Sequence, residues 1–146
     1  MNALAPLIVA LLGGIGLAVQ PSTNAALGRS IGSVLLAALV SFAVGTVILT
    51  GVWLMADRTP LANLRDARPW MFLGGAYGAF FVAAAAFAAP RLGLASMLTI
   101  MIAAQVVAAV VIDRFGLIGL PRTPISAVRL AGVGLVLVGA MLIRRG

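Results

Sequence analysis

Long uncharged apolar runs alternate with short clusters of arginine, aspartate and proline along the whole chain. A helix needs about 20 residues to cross the hydrocarbon of a bilayer, where every backbone polar group must be satisfied within the segment. The first run, Met1 to Gly28, carries no charged side chain. Proline cannot donate to a helical ladder. Pro21 is therefore expected to divide this run into a span over about 3–20 and a broken extension to 28. Further spans are predicted over 32–55, 70–89 and 94–112. The fifth is the shortest: its uncharged part, Leu130 to Ile143, has 14 residues. It reaches a full crossing only when counted as 124–143, with Arg129 snorkelling its guanidinium to the interface.

The connections fit this division. Asp57, Arg58, Arg65, Asp66 and Arg68 make residues 56–69 the most polar stretch, and Trp53 and Trp70 flank it as an interfacial aromatic belt would. Asp113, Arg114, Pro121, Arg122 and Pro124 mark a second polar connection. Pro90-Arg91-Leu92-Gly93 reads as a tight turn. The N-terminal run lacks a basic flank and a convincing small-residue cleavage site, so it is expected to be a permanent span. The expectation is an all-α integral membrane protein, residues 1–146 forming a single transmembrane domain of five helices.

Composition supports lipid as the solvent. Of 146 residues, 63% are hydrophobic and 9% charged, against about a quarter charged in soluble domains. The net charge of +7 is carried by ten arginines, with no lysine. They are scattered between apolar runs instead of forming the basic patch a nucleic-acid surface needs, so no nucleic-acid partner is expected. Cysteine and histidine are absent. With no phosphate-loop, dinucleotide or metal-binding motif either, no catalytic residue, cofactor or metal is expected.

Five spans put the termini on opposite faces. Arg58, Arg65, Arg68, Arg114, Arg122 and Arg129 then share the N-terminal face, and Arg29, Arg91, Arg144 and Arg145 share the other. Six against four is a weak orienting instruction under the positive-inside rule. Four spans would instead give eight against two. The five-span reading predicts insertion both ways, with two inverted copies pairing as a ten-helix homodimer, an arrangement that resembles the inverted repeats of alternating-access transporters. Gly28 with Gly32, Gly74 with Gly78, and the Gly13, Gly14, Gly16 cluster offer faces for close helix packing.

No Asp, Glu, Lys or His lies within the predicted spans, which argues against a buried carboxylate carrying protons. Asp113 beside Arg114 reads as an interfacial ion pair. The interior offers neutral polar groups instead. Gln20 and Asn24 flank the expected break, where freed backbone and amides can face a ligand; a kink satisfied by Ser22 or Thr23, or the membrane exit, is the alternative. Gln105, midway along the fourth span, serves either a helix–helix hydrogen bond or a substrate. Tyr77 and Ser41 complete the candidate substrate-binding set, each also accounted for by packing or by bonding to its own helix.

The runs Gln20-Pro-Ser-Thr-Asn24-Ala-Ala-Leu-Gly28-Arg29, Ala38-Leu-Val-Ser-Phe-Ala-Val-Gly45-Thr46, Gly74-Gly75-Ala-Tyr-Gly78, Ala89-Pro90-Arg91-Leu-Gly93 and Asp113-Arg-Phe-Gly-Leu-Ile-Gly119, together with Gln105 and the Leu-Ala-Gly132 stretch, occur in an order that resembles the YdcZ-like inner-membrane proteins of the drug/metabolite transporter superfamily. The resemblance covers nearly the whole chain. It implies five-helix units found as dual-topology dimers, paired genes or ten-helix fusions, a bacterial inner membrane, and transport of an unassigned small molecule. The small multidrug exporters of that superfamily use a glutamate in the first helix, and this chain has none. A neutral or anionic substrate suits an interior without acids. The rival expectations are a non-transporting subunit or assembly factor of a larger complex, and a facilitator or flippase for lipid-like molecules.

Overall fold

The computed structural model describes residues 4–146, and they are helical almost throughout. α1 runs over Leu4–Ile31 and α2 over Val34–Val52, continued by one wide π-helical turn at Trp53–Asp57. Two short 3₁₀ turns, Leu61–Asp66 and Pro69–Phe72, lead into α3, Leu73–Leu92. α4, Leu94–Phe115, and α5, Ala127–Arg145, complete the chain. With their flanking turns, five helical segments are long and apolar enough to cross a membrane. Two compact units are present, one ending at Arg91 and one beginning at Leu92.

The first helix does not break. α1 continues through Pro21 for 28 residues, where the sequence predicts an interruption. Proline withholds one N–H from the carbonyl of Leu17. Breaking the helix would strand several backbone groups at once, which is the costlier choice in hydrocarbon. Ser22 and Thr23 remain inside the ladder, the Thr23 hydroxyl donating to the Gln20 carbonyl at 2.8 Å. The helix ends instead at Gly32, whose φ of +76° is the left-handed stop that glycine adopts freely. Ser33 then caps α2, its hydroxyl accepting from the Leu36 N–H at 3.1 Å.

The glycine pair at 28 and 32 does two different jobs. Gly28 packs so closely on the start of α2 that a Cβ there would lie 3.2 Å from the Val34 Cα, whereas Gly32 has open space around it and only shapes the turn. Gly78 meets the ring of Phe42, bringing α3 against α2. Gly13, Gly14, Gly16 and Gly74 have no neighbour within reach of a Cβ among the described residues.

The core is thin and made of small side chains. Among the described residues, eight of the eleven buried hydrophobic ones are alanine, while leucines, isoleucines, valines and phenylalanines stand exposed along the helices. Water would not tolerate that surface. In lipid no hydrophobic force drives helices together, so backbones approach through small residues and large apolar chains face the acyl tails.

Pro90 also lies inside a helix, since α3 persists to Leu92 and only Gly93, at φ +79°, separates it from α4. The turn foreseen over four residues is one residue long. α4 ends on Gly116, left-handed at φ 62°, with its N–H donating to the Ile112 carbonyl. A Cβ at this position would sit 2.6 Å from Arg122 Cγ and 3.1 Å from the Leu120 carbonyl oxygen. Gly116→Ala is therefore expected to cost about 1–2 kcal/mol from the backbone conformation alone, and more from the displaced loop. Thermal unfolding in detergent measures it, with Gly134→Ala, which has open space around it, as the tolerated comparison.

Candidate substrate site

One stripe of α1 is buried: Pro21, Asn24, Ala25 and Gly28. The spacing of three and four residues places them on a single helix face. Asn24 is the one buried polar residue among those described, 5% exposed. Its Nδ2 has no hydrogen-bond partner among the described residues. A buried amide donor left unpaired costs about 1–3 kcal/mol, so its retention in an apolar helix asks for a partner from outside this chain.

Gln20 lies one turn before Asn24 on the same side of α1 and is half-buried. Ser41 is half-buried on α2, on the side that carries the buried Ala37 and Ala38. Asn24 lies eight residues before Gly32 and Ser41 nine after it. Both are thus about 12–14 Å along their helices from the shared turn. Two of the sequence candidates, Asn24 and Ser41, therefore occupy comparable positions in the α1–α2 hairpin, with Gln20 one helical turn further from the connection. Tyr77 does not join them. It lies near the start of α3 with 68% of its surface exposed, facing outward from its unit. Gln105 belongs to the second unit and is exposed on α4.

Asp113 stands in the last turn of α4 beside Arg114, as its sequence context suggests, but its partner is not Arg114. Its carboxylate takes a hydrogen-bonded ion pair from Arg129, in the first turn of α5. The loop between them is pinned as well, the Thr123 N–H donating to the Asp113 carbonyl at 2.9 Å. Arg129 is thus paired with an acid on the neighbouring helix. Each charge alone is badly placed, an anion at a helix C-terminus and a cation at an N-terminus. Asp113→Ala should cost about 1–2 kcal/mol, between exposed and buried pairs. The exchange Asp113→Arg with Arg129→Asp should recover that loss and melt no lower than the parent, because both helix dipoles then favour their charges. Sequence reasoning missed the pair because sixteen residues and a turn separate its members.

A second feature was also missed. Arg29 and Arg91 share a cavity of about 450 Å³ with Ala25, Gly28, Gly32, Val34, Ala86 and Pro90. Their only sequence signal is that each closes a span. The Arg91 guanidinium stacks on the Phe87 ring, 3.6 Å from its centre, and donates to the Phe87 carbonyl at 2.5 Å. Among the described residues no group of three or more acidic, histidine or cysteine side chains could hold a metal ion.

Five lipid-length helices and a thin alanine core define a multi-pass membrane protein. The family model described as "Putative inner membrane exporter, YdcZ" matches residues 5–142, and the chain belongs to that family. It is 27% identical over 147 residues to the inner membrane protein YdcZ of Escherichia coli (strain K12), covering 99% of this chain and 98% of that protein. No solved structure matches it.

Proposed function

We propose that this chain exports a neutral or anionic small molecule by alternating access, as a homodimer of two inverted copies whose ten helices act as one transmembrane domain. Asn24 carries the reading. Its unpaired buried amide is the kind of group that a hydrogen-bonding solute or the second copy would complete. Gln20 on α1 and Ser41 on α2 supply further polar groups in the same hairpin, and in this reading Tyr77 and Gln105, exposed on one copy, meet the cavity once the second copy is in place. The near balance of arginines between the two faces favours insertion both ways. Membership of an exporter family supports transport over a subunit or assembly role.

Two measurements test it. Cysteines introduced as Asn63→Cys in one copy and Gly146→Cys in another lie on opposite faces of a single chain. An inverted pair brings them to the same face, so a bis-maleimide should bridge 63 to 146 in preference to 63 to 63. Bridging only between like positions would mean parallel copies and overturn the inverted dimer. For transport, proteoliposomes loaded with a panel of neutral and anionic solutes should lose one of them faster than protein-free vesicles. Equal retention of every solute would sink the exporter reading in favour of a non-transporting component.

A further inference from the structure

The Arg29–Arg91 cavity lies at the end of the first unit where α1 and α3 finish and α2 begins, and Asn24 is not among the residues that line it. Its walls are small: Ala25, Gly28, Gly32 and Ala86 leave the space open, and two arginines border it. Among the described residues no side-chain carboxylate forms an ion pair with either of them. The chain's three acids are Asp57, Asp66 and Asp113. The first two lie in the α2–α3 connection, at the far ends of those helices, and Asp113 is paired with Arg129. Two positive groups in one cavity repel each other, and an anion between them removes that penalty.

We propose that this cavity binds a phosphate-bearing anion through the paired guanidinium groups of Arg29 and Arg91. The planar fork of arginine matches phosphate oxygens two at a time, which a single ammonium cannot do. The Arg91 guanidinium rests on Phe87, which is outside the cavity lining, with one N–H on the Phe87 carbonyl, and its remaining donors can turn to a ligand. The start of α2, which contributes Val34 to the lining, adds the positive end of a helix dipole. Basic cavities between membrane helices suit the headgroup of an anionic phospholipid, and the same donors suit free phosphate. Binding there requires neither transport nor an inverted dimer.

The test uses the purified full chain in phosphatidylcholine nanodiscs, with two probes: inorganic phosphate, and phosphatidylglycerol added to the disc. Thermal stability is read in each case, and lipid retention by native mass spectrometry. A rise of several degrees is expected with at least one probe. Arg29→Gln and Arg91→Gln should each weaken that response about tenfold in probe concentration, as loss of a charge-assisted pair predicts, and the double variant should abolish it. Arg29→Lys and Arg91→Lys keep the charge without the fork and should retain a weakened response, which separates lost binding from lost folding. Arg65→Gln with Arg68→Gln, in the opposite connection, should leave it intact. A response to lipid alone assigns the site to a headgroup, a response to phosphate alone to a soluble anion, and either supports the site. No response to either probe, or an undiminished response in the double variant, overturns it.

Discussion

Asn24→Leu is expected to lose transport by tenfold or more while melting at the parent's temperature or a few degrees above it. Most functional losses in a membrane protein come with a loss of fold, so the opposite signs are what make this substitution informative. Leucine is close to asparagine in size and has no polar atom to strand, so it removes the roughly 1–3 kcal/mol penalty of an unpaired donor. The same change deletes the only buried polar side chain among the described residues. A hydrogen bond to a solute in a low-dielectric interior is worth about a factor of ten or more. Asn24→Gln, which keeps an amide within one bond length, should recover part of the activity, and Gln20→Leu, at a half-buried position, should lose less. If Asn24→Leu instead unfolds the protein, the amide is paired in the assembled molecule and its role is structural. If it transports as well as the parent, the solute does not touch this group.

The number and approximate extent of the helices were legible because lipid imposes a single length scale, and arginine, aspartate and proline clusters mark where it is exceeded. What the sequence reading misplaced were the prolines. Pro21 and Pro90 both lie inside helices that continue past them, because the rule that proline ends a helix is calibrated in water. There the freed backbone groups find a solvent; in hydrocarbon they do not. Of the candidate site residues, Asn24 could be singled out by residue type, as an amide in an otherwise uncharged run. Its burial could not, because it depends on which α1 face packs, and α1 has almost no amphipathic pattern to show that face. Tyr77 was chosen for its hydroxyl and stands exposed. The Asp113–Arg129 pair and the Arg29–Arg91 cavity join residues on different helices, and neither has a local spacing that would announce it.

If the chain inserts both ways as proposed, Arg144→Ser with Arg145→Ser should make it insert a single way. The face opposite the N-terminal one carries four arginines, and this double variant leaves two against six. The positive-inside rule then holds the six-arginine face in the cytoplasm. An impermeant maleimide applied to intact cells should label Gly146→Cys in about half of the parent molecules and in more than about nine-tenths of the variant, with Asn63→Cys changing in the opposite sense. The matched control removes as many charges from the other face. Arg58→Ser with Arg65→Ser leaves four against four and should keep both orientations. A four-span protein would separate cleanly from this pattern, since its eight-against-two count fixes one orientation before any change. Orientation also reaches function. If two inverted copies form the pathway, the variant locked one way should insert and remain folded yet transport at least tenfold more slowly. Activity should return on co-expression with a copy biased the other way, such as Arg58→Ser, Arg65→Ser, Arg68→Ser and Arg114→Ser together, which leaves two against four. Full transport by the locked variant alone would show that copies of one orientation suffice and would remove the inverted pair from the mechanism.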